Sequence, residues 1–507
     1  MNLAEIFHDI PGASIQGDSS VNVSGVTSDS RTVHPGDLFI AMRGANLNGF
    51  SFVEQALGLG ALAVASDELI QNLKVPTVFF PNARVYLGPL ASRIYGRPST
   101  KLTIIGITGT NGKTTTSHLI EAILKEDGRN PGYIGTVGYR WNGLSKDAPR
   151  TTPEACDLHR ILSHMVAQEV TDVVIECSSH GLALGRVTGL ELNIGVFTNL
   201  TQDHLDFHKT FDEYLEAKWK LFSEILANSS KSNRVAVVNL DDPTGSLWAR
   251  KIPQPVVTFS LDPSKGAVTF PLERSMGPDG IRARIYDGSQ DLWVESPLVG
   301  DYNLSNILAA FSVAKTLGVQ GKNIARAIKK LSWIPGRLEK VANEMGIHVF
   351  VDYAHTQDAL LNVLCSLSPF RKKRILVVFG AGGDRDKLKR PRMLEAVLRF
   401  ADLTIVTSDN PRNEDPQSII HDILSGMSKE VSQVSSGELT SNAKGVVCVM
   451  VDRQAAIEKA LQVSSKDDIV LIAGKGHETY QEVNGVQYPF DDRQVARNWV
   501  ERKGRGS

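Results

Sequence analysis

Short apolar runs bounded by turn residues recur along the chain, and most have the length of a buried strand. In the first hundred residues, runs at 37–42 (DLFIAM) and 61–65 (ALAVA) flank a stretch with helical spacing at 52–59. Glycine, proline and serine then punctuate residues 95–101 (YGRPSTK), a composition typical of a linker. This pattern predicts a small α/β domain over residues 1–97.

A second group of runs is apolar at nearly every position. Such runs are typical of parallel strands that are buried on both faces. A more polar, β-rich stretch follows at 255–299, with turn pairs at 279–280 and 287–288. The sequence therefore predicts a larger domain over residues 98–335, with strands at 102–107, 172–176, 194–198 and 234–239.

Beyond a boundary near 333–337 (WIPGR), three further runs predict a second doubly wound sheet over residues 336–507. Residues 435–445 (SSGELTSNAKG) are predicted to form a flexible surface loop. The predicted fold class is thus α/β with three domains: a small N-terminal domain, a central parallel-sheet domain and a Rossmann-like C-terminal domain. The three runs lie at 374–380, 403–407 and 469–473.

Composition narrows the function classes without choosing one. The chain has 507 residues and a formal net charge of −1, which gives no reason to expect a nucleic-acid partner or an anionic membrane surface. No apolar run approaches the ~20 residues that span a bilayer, and residues 1–12 (MNLAEIFHDIPG) lack the basic and then apolar pattern of a signal peptide. The four cysteines form no CxxC pair, so we expect reduced thiols and a cytoplasmic location.

The clearest local signal is a glycine-rich loop at 106–116 (GITGTNGKTTT) between an apolar strand and a helix predicted to begin near Thr114. Glycines let backbone N–H groups approach phosphate, Lys113 supplies a positive charge, and the Thr114 hydroxyl can bind Mg²⁺. Ile107 stands where the strict P-loop pattern has glycine, so this is a variant loop. The alternative is a glycine-rich turn without a ligand.

Polar side chains at the ends of two predicted strands are candidates for a metal site. Glu176 ends one strand, and His204 follows the next within NLTQDHLD. A carboxylate and an imidazole there can ligate Mg²⁺ beside phosphate oxygens, although a lone histidine is more often structural. Lys218 lies in a helical stretch, where composition alone predicts a solvated surface group.

A second glycine cluster at 380–385 (GAGGDR) also follows an apolar strand. It resembles a dinucleotide fingerprint, but Arg385 occupies the third glycine position. A dehydrogenase is therefore kept only as a distant alternative.

Together, ten ordered motifs resemble the Mur ligase family over nearly the whole chain. They are TGTNGKTTT, ECSSHGL, NLTQDHLDFH, EAKW, GDYNLSN, PGR, VDYAHT, GGDRDKLKRP, DNPR and AGKGHE. The resemblance implies an enzyme that uses ATP and Mg²⁺, with its three domains holding the UDP end of the substrate, the ATP and the incoming amino acid. The D-Glu carboxylate of UDP-MurNAc-L-Ala-D-Glu would attack the γ-phosphate, and an amine would then attack the resulting acyl phosphate.

Matched motif by motif, the resemblance also implies site residues. The residues with implied catalytic roles are Lys113, Glu176, His204 and Lys218, and the resemblance implies that Lys218 is carbamylated. The residues with implied metal contacts are Thr114, Glu176, His204 and Lys218. Nucleotide contacts fall on Gly109, Thr110, Asn111, Gly112, Lys113, Thr114, Thr115, Asn303, Asn306, Arg337, Asp352 and His355. Contacts to the UDP-muramoyl-peptide fall on Ser28, Ser30, Thr151, Thr152, Ser178 and Arg186, with uracil contacts at 45–47. Contacts to the amino acid fall on Arg390, Asp409, Asn410, Pro411, Arg412, Gly474 and Glu478.

The DNPR motif resembles that of family members that add meso-diaminopimelate, because Arg412 offers a cation to the distal carboxylate. We therefore expect small-molecule substrates and a monomer. The alternatives are the same ligase acting on L-lysine, a folylpolyglutamate synthetase-like ligase, and a nucleotide-binding scaffold without catalysis. The leading domain and DNPR argue against the folate enzyme, and the intact Lys113, Glu176, His204 and Lys218 argue against the scaffold.

Overall fold

The N-terminal strands pair into a mostly parallel sheet. A computed structural model describes residues 1–43, 48–70, 72–148, 150–277, 280–428 and 430–504, so the predicted uracil contacts at 45–47 lie outside the described residues. The first sheet has the order β1-β5-β4-β3-β2, and its β1–β5 pair is antiparallel. Its strands are β1 (Ser14–Gln16), β2 (Gly25–Thr27), β3 (Asp37–Ala41), β4 (Ala63–Ser66) and β5 (Thr77–Phe79). Its helices are α1 (Leu3–Phe7), α2 (Val53–Gly58) and α3 (Ala83–Ile94).

The central domain contains an eight-stranded sheet of order β13-β12-β11-β6-β10-β7-β8-β9. Its strands are β6 (Thr103–Thr108), β7 (Pro131–Gly135), β8 (Gly138–Trp141), β9 (Leu144–Lys146), β10 (Asp172–Glu176), β11 (Ile194–Phe197), β12 (Val235–Asn239) and β13 (Val256–Phe259). A separate antiparallel sheet contains β14 (Phe270–Gly277), β15 (Gly280–Tyr286) and β16 (Asp291–Ser296). The β-rich stretch predicted at 255–299 is thus present.

Helices cover both faces of the central sheet. They are α4 (Lys113–Glu126), α5 (Ala155–Ala167), α6 (Ser179–Ala183), α7 (Leu205–His208), α8 (Phe211–Lys220), α9 (Pro243–Lys251), α10 (Asp301–Thr316) and α11 (Gly321–Lys330). Ile105 and Ile107 of β6 pack with Leu119 of α4 in one core cluster, whereas Ile104 contributes to the cluster on the opposite face. Burial on both faces explains why these strands are continuously apolar.

The C-terminal domain contains a seven-stranded sheet of order β17-β18-β23-β19-β20-β22-β21, in which only β17–β18 is antiparallel. Its strands are β17 (Glu339–Val341), β18 (His348–Asp352), β19 (Ile375–Phe379), β20 (Leu403–Val406), β21 (Ser432–Val434), β22 (Val446–Val449) and β23 (Ile469–Ala473). A hairpin of β24 (Tyr480–Val483) and β25 (Val486–Pro489) follows. The helices are α12 (Gln357–Leu367), α13 (Lys389–Leu398), α14 (Pro416–Leu424), α15 (Arg453–Val463) and α16 (Asp492–Gly504).

The predicted α/β class is confirmed, and the predicted strands recur with shifts of one or two residues at their ends. The four cysteines carry free thiols, as expected. None of the helices in the described ranges combines the length and the apolar character needed to cross a bilayer. In the central sheet β6 lies between β10 and β11, so the carboxyl ends of these three parallel strands meet at one edge. Ligands bind at this kind of edge in open α/β sheets.

Candidate functional site

The glycine-rich loop connects β6 to α4, which begins at Lys113. Gly109 and Gly112 have φ angles of 152° and 86°, in the region that favours glycine. A Cβ atom at Gly109 would collide with the Thr198 hydroxyl, and one at Gly112 with the Asn306 side chain. The loop therefore requires glycine at both positions. It presents the N-terminus of a 14-residue helix, which favours a bound anion.

Neighbouring strands fix the shape of this loop. The Thr198 hydroxyl donates to the Asn111 carbonyl at 2.6 Å, and the Asn111 amide donates to the Asn199 side chain at 2.9 Å. The Thr110 hydroxyl lies 2.9 Å from the hydroxyl of Tyr214. Thr115 is buried in the first turn of α4. The predicted nucleotide-binding loop is thus held in place from β11 and α8.

Lys113 folds back over the loop. Its ammonium donates to the carbonyls of Gly109 and Thr110 at 2.8 and 2.9 Å. Burial lowers the pKa of Lys113 from its ordinary value, while Glu176 acts in the opposite direction. The side chain therefore lies at the helix N-terminus, where it can exchange these carbonyls for phosphate oxygens.

Glu176, at the end of β10, is fully buried, and the described groups that donate hydrogen bonds to its carboxylate are all neutral. The Tyr133 hydroxyl donates to it at 2.6 Å, the Thr114 hydroxyl at 3.1 Å, and the Thr136 hydroxyl and amide at 3.0 and 3.3 Å. Its negative charge is thus oriented but not neutralised by an ion pair. A buried carboxylate of this kind fits a bound cation.

His204 lies next to the loop in a left-handed conformation, with φ at 56°. Its Nε2 atom is 3.4 Å from a carboxylate oxygen of Asp203, and its ring contacts those of His180 and Tyr214 at centroid distances of 4.8 and 6.2 Å. Burial lowers the pKa of His204 to about 3. The imidazole is therefore neutral near pH 7, the form that can donate a lone pair to a metal.

Lys218 does not lie on the surface, so the expectation from composition alone is wrong. It is 1% exposed on α8, its ammonium donates to the Gly109 carbonyl at 2.8 Å, and the ammonium lies 4.5 Å from the centre of the Tyr214 ring. Burial, reinforced by the charge of Lys113, lowers its pKa well below the ordinary value. The α8 helix continues into a π-helical segment at Leu221–Leu226, a rare feature that is frequent near functional sites.

The residues at this edge fit Mg²⁺ as a partner of bound phosphate rather than as an ion in a closed protein cage. Within the described part of the chain, no three histidine, cysteine, aspartate or glutamate side chains converge as a metal-holding group. Thr114, Glu176 and His204 offer one hydroxyl, one carboxylate and one imidazole. Mg²⁺ is commonly bound by one or two protein groups together with substrate phosphates and water.

Further predicted nucleotide residues approach the loop from other elements. Asn306 of α10 accepts from the Thr116 hydroxyl at 3.3 Å and donates to Asn303 at 3.3 Å. Arg337 donates to the Thr114 hydroxyl at 3.3 Å, and its guanidinium lies 4.8 Å from the centre of the Tyr353 ring. These contacts bring the end of the central domain and the start of the third onto the loop.

Hydrogen bonds with backbone groups of nearby residues hold the side chains of Asp352 and His355 beside Arg337. Asp352 accepts from the amides of Leu338 and Ala354 at 2.6 and 2.7 Å, and burial raises its pKa. His355 bonds the Tyr353 carbonyl at 2.9 Å, and burial lowers its pKa to about 4. Both side chains are therefore fixed by local structure near the cation that contacts the loop.

The structure also brings together the residues predicted to bind the muramoyl-peptide. The Thr152 hydroxyl donates to the Glu176 carbonyl at 2.8 Å and lies 3.0 Å from the Ser178 hydroxyl. Arg186 donates to the Thr152 carbonyl at 3.4 Å, and the Thr151 hydroxyl lies 3.1 Å from that of Thr136. All four predicted residues thus lie around the end of β10.

Ser28 and Ser30 belong to the N-terminal domain instead. Ser30 donates to the Gln55 side chain at 2.8 Å. The Ser28 backbone lies close enough to the Cys156 thiol, at the start of α5 in the central domain, to lower the pKa of that thiol against the larger effect of burial, which raises it. Ser28 therefore lies at the junction between the first and second domains, whereas the Ser30 contact lies within the first.

A buried polar network occupies the predicted amino-acid pocket. Lys475 donates to Asn410 at 2.8 Å and to Glu478 at 2.9 Å, and it lies 3.6 Å from Asp409. Asn410 donates to Glu478 at 2.8 Å. Burial alone would raise the pKa of Asp409, but the charges of Lys475 and Arg453, with smaller contributions from His355 and Arg412, together outweigh burial and hold that pKa below its ordinary value. Gly474, with φ at 118°, lets the backbone pass close to Asp409.

Arg412 follows Pro411 at the edge of this network. Its guanidinium donates to the Gly383 carbonyl at 2.6 Å and lies 3.3 Å from the Glu482 carboxylate. Its backbone pairs with the β24–β25 hairpin through Glu482 and Asn484. The hairpin therefore holds the DNPR segment in place, with the Arg412 side chain 23% exposed.

Arg390 is already paired inside the third domain. Its guanidinium is fully buried and bonds Glu414 at 2.8 and 2.9 Å and Asp422 at 2.8 Å. A structural role for this arginine thus accompanies its predicted contact with the amino acid, which stays a prediction.

Several residues of the site were not found by sequence reasoning. Thr136 and Tyr133 hold Glu176 from β7 and the turn after it, where no motif marks them. Asp358 accepts from Asn111 at 2.9 Å and from Thr201 at 3.0 Å, so it joins α12 to the glycine-rich loop. Lys475 stands within AGKGHE, so its place in a matched motif was the available signal.

Comparison with known proteins follows the same three parts of the chain. Residues 22–95 match the model of the Mur ligase family catalytic domain, 107–314 the Mur ligase middle domain, and 336–476 the Mur ligase glutamate ligase domain. Two relatives are each named UDP-N-acetylmuramoyl-L-alanyl-D-glutamate–2,6-diaminopimelate ligase. The one from Geobacillus thermodenitrificans is 39% identical over 99% of this chain and 100% of its own length. The one from Geobacter metallireducens is 40% identical over 100% of both chains.

Solved structures agree with these matches. A structure of a UDP-N-acetylmuramoyl-L-alanyl-D-glutamate–2,6-diaminopimelate ligase covers 99% of both chains, with a TM-score of 0.69 and 34% identity. A MurF ligase from Thermotoga maritima in complex with ADP covers 96% of this chain and 100% of its own, with a TM-score of 0.66 and 19% identity, which supports the fold alone. The resemblance carried by the motifs is confirmed, and the chain belongs to the Mur ligase family.

Proposed function

We propose that this chain is an ATP-dependent ligase that joins meso-2,6-diaminopimelate to the D-Glu of UDP-MurNAc-L-Ala-D-Glu. The observation that carries the proposal is the contact of Arg337 with Thr114 and of Asp358 with Asn111. Through it, the carboxyl edge of the third domain's sheet faces the glycine-rich loop. These contacts support a shared interface between the proposed phosphate site and the proposed amino-acid pocket, as a reaction between their ligands requires.

The reaction must activate a carboxylate, because an amine does not displace oxide from it. A carboxylate oxygen of D-Glu attacks the γ-phosphorus, the bond to the bridging oxygen breaks, and ADP leaves. The amine nitrogen then attacks the acyl carbon, the carbon–oxygen bond to phosphate breaks, the nitrogen gives up one proton, and inorganic phosphate leaves. One ATP is thus consumed for each amide formed.

Bringing two anions together requires positive charge and a site shielded from water. Lys113 and Arg337 supply cations at the loop, and the N-terminus of α4 adds its dipole. Bound Mg²⁺ would neutralise phosphate charge, with Thr114, Glu176, His204 and a modified Lys218 as the groups that hold it. The four groups that bond Glu176 orient its carboxylate for that purpose.

We further propose that Lys218 is carbamylated. An uncharged amine adds carbon dioxide, whereas an ammonium does not, and burial favours the uncharged form here. The amine nitrogen bonds the carbon of carbon dioxide and releases one proton, which leaves a carbamate anion beside Lys113, where a negative charge is stabilised. The modification would convert a residue that repels Mg²⁺ into one that binds it.

Selection of the amino acid is proposed to depend on Arg412. Meso-diaminopimelate carries a distal carboxylate that L-lysine lacks, and a guanidinium can pair with it through two parallel hydrogen bonds. The relatives named above carry diaminopimelate in their names. We also propose that the enzyme acts as a monomer in the cytoplasm, in keeping with its free thiols.

Phosphate release from ATP tests the proposal. We expect release with UDP-MurNAc-L-Ala-D-Glu and meso-diaminopimelate, and only background release with folate and glutamate or with no acceptor. Release that depends on folate would favour the folylpolyglutamate synthetase-like alternative. Binding of ATP without release under any condition would favour the scaffold.

A further inference from the structure

Lys475 is the fully buried member of the polar network in the predicted amino-acid pocket. Its side chain is 0% exposed, although an ammonium group is costly to bury without partners. It lies in the turn after β23, between Gly474 and Gly476, whose φ angles of 118° and 54° favour glycine. A Cβ atom at Gly474 would come within 2.8 Å of the Asp409 carboxylate. The glycines therefore let the chain pass close to the pocket and place the lysine at its base.

The partners of the Lys475 ammonium group orient two neighbouring side chains. The ammonium donates to the Asn410 oxygen at 2.8 Å and to Oε2 of Glu478 at 2.9 Å. The Asn410 oxygen also accepts from the Glu482 amide at 3.0 Å, so both of its lone pairs are occupied. The Asn410 nitrogen then points the other way and donates to the same Oε2 atom at 2.8 Å. Lys475 thus determines how the Asn410 amide is oriented and which oxygen of Glu478 is held.

The other oxygen of Glu478 is open to a ligand. The Glu478 side chain is 18% exposed, in contrast to that of Lys475. Within the described residues no group donates a hydrogen bond to Oε1, and this atom is not closed off from solvent. The network therefore has a closed base at Lys475 and an open end at Oε1. A ligand can reach the Oε1 atom but not the ammonium group.

The charges of this network are unbalanced by one. Lys475 lies 2.9 Å from the Glu478 carboxylate and 3.6 Å from that of Asp409, so one cation faces two anions. Arg453 also acts on Asp409, but it is already paired with Asp492 through two hydrogen bonds at 2.7 Å. A cationic ligand group at Oε1 would restore the balance. An ammonium group carries that charge and also donates hydrogen bonds to a carboxylate.

The position of Glu478 indicates which ammonium group of the amino acid it meets. Asn410 joins Glu478 to the DNPR turn, two residues before Arg412, the proposed partner of the distal carboxylate. In meso-diaminopimelate the distal carboxylate and the distal ammonium are attached to one carbon atom. The other amine must be uncharged to attack the acyl phosphate, so it does not supply the cation. Glu478 is therefore placed to meet the distal ammonium.

We propose that Lys475 is a positioning residue: by holding Oε2 of Glu478, it presents Oε1 to the distal ammonium group of the amino acid. The assignment rests on the proposed ligase function and adds a specificity determinant that is separate from Arg412. Arg412 distinguishes amino acids by the distal carboxylate, whereas Lys475, through Glu478, distinguishes them by the distal ammonium. The competing explanation is that Lys475 only stabilises the fold of the pocket, in which case its loss affects every amino acid alike.

The analogue L-2-aminopimelate separates these explanations, because it has the distal carboxylate of meso-diaminopimelate but no distal ammonium. For the full-length wild type we expect a higher kcat/KM for meso-diaminopimelate than for the analogue. In Lys475→Met, which retains most of the side-chain volume but not the charge, this ratio should fall by roughly 10- to 100-fold, the loss of one oriented, charge-assisted hydrogen bond. The KM for meso-diaminopimelate should account for most of the change, and the KM for ATP should stay the same.

Arg374→Met is the matched control. Arg374 is also buried in the third domain and is paired with Asp468 at 2.6 Å, but this pair precedes β19 and β23, at the end of the sheet opposite Lys475. The control should lower the melting temperature and leave the substrate ratio unchanged.

A double variant tests whether Lys475 acts through Glu478. Glu478→Gln should lower the ratio about as much as Lys475→Met does, and the two substitutions together should lower it no further. The double variant retains the net charge of the wild-type network, so it tests the assignment even where Lys475→Met alone is unfolded.

Melting temperatures measured in parallel show which variants are folded. The proposal is overturned if folded Lys475→Met lowers kcat/KM for both amino acids by the same factor, or if Glu478→Gln retains the wild-type ratio. It is also overturned if the double variant falls well below Glu478→Gln. A wild-type enzyme that forms amide product from the two amino acids with equal kcat/KM would overturn this assignment and leave the ligase function standing. A wild-type protein that forms no amide product would overturn the ligase function itself, and this assignment with it.

Discussion

Lys113 and Lys218 donate hydrogen bonds to the same carbonyl oxygen, that of Gly109, each at 2.8 Å. Two ammonium groups this close in a buried site repel one another, and Lys218 is the one whose pKa is lowered well below its ordinary value. The pair therefore favours Lys113 as the cation that meets phosphate and shifts Lys218 toward the uncharged amine. Carbamylation would then place opposite charges where like charges now meet.

Replacing Lys218 by alanine should leave the protein nearly inactive, with activity partly restored by added formate or acetate. The reason is that the missing group is a metal-binding anion, which a small carboxylate can replace. Ligation assayed with and without these anions is the measurement. Lys220→Ala, a change on the same helix, should retain activity and show no response to them. Full activity at low bicarbonate, together with an unmodified Lys218 in a native mass spectrum, would contradict carbamylation.

Replacing Lys113 by alanine should abolish ligation and weaken ATP binding while the fold persists. Lys113 neutralises charge that only the triphosphate brings, and losing one such group typically lowers kcat by roughly 100- to 1000-fold. Calorimetric titration with ATP, phosphate release and the melting temperature together test this expectation. A folded Lys113→Ala protein that ligates at the wild-type rate would show that the nucleotide binds elsewhere.

Replacing Arg412 by alanine should lower kcat/KM for meso-diaminopimelate by roughly 30- to 1000-fold, since an unpaired substrate carboxylate costs on the order of 2–4 kcal/mol. The reaction with L-lysine should change much less, so the preference between the two amino acids should shrink. Arg392→Ala, on the exposed face of α13, is the control and should alter neither value. An equal loss for both amino acids would assign Arg412 a structural role through Gly383 and Glu482 instead.

The ion pair between Arg390 and Glu414 should make the third domain sensitive to acid. The hydrogen bonds from Arg390 lower the pKa of Glu414 from 4.5 to about 2. A carboxyl with a lowered pKa stabilises the fold above its unfolded-state pKa, and that stability is lost as the pH falls toward about 2. Urea titrations at about pH 6 and about pH 3 measure how much of the free energy of unfolding is lost on acidification. We expect this loss to be larger in wild type than in Glu414→Gln by on the order of 1–2 kcal/mol, after allowing for solvent screening. Equal losses of unfolding free energy in the two proteins would mean that the Arg390–Glu414 pair contributes nothing to the acid sensitivity.

The sequence predicted the parts of this protein that depend on local pattern. Continuous apolar runs located the parallel strands, and glycines before Lys113 located the phosphate loop, because both features are properties of neighbouring residues. The burial of Lys218 could not be inferred this way, since it depends on Tyr214 beneath it and on a carbonyl 109 residues earlier in the chain. Composition alone predicted that Lys218 lies on the surface, and only the resemblance of the EAKW motif placed it in the site.

Contacts between domains could not be predicted from the sequence either. Asp358 bonds Asn111 across 247 residues, and no spacing in either segment predicts that pair. The role of Arg390 within its own domain also depends on two carboxylates, Glu414 and Asp422, brought by α14 and the segment before it. Motif matching identified such residues as members of a site, whereas the partners that hold each one in place required the structure.

The most direct test of the central claim is a competition between the two diamino acids. The purified protein is incubated with ATP, Mg²⁺, UDP-MurNAc-L-Ala-D-Glu and equal concentrations of meso-diaminopimelate and L-lysine, and the products are separated by mass. We predict a product that contains diaminopimelate almost exclusively, with one ADP and one phosphate released for each amide bond. A product with equal amounts of the two amino acids would contradict the selection by Arg412, and the absence of any amide product would contradict the ligase function.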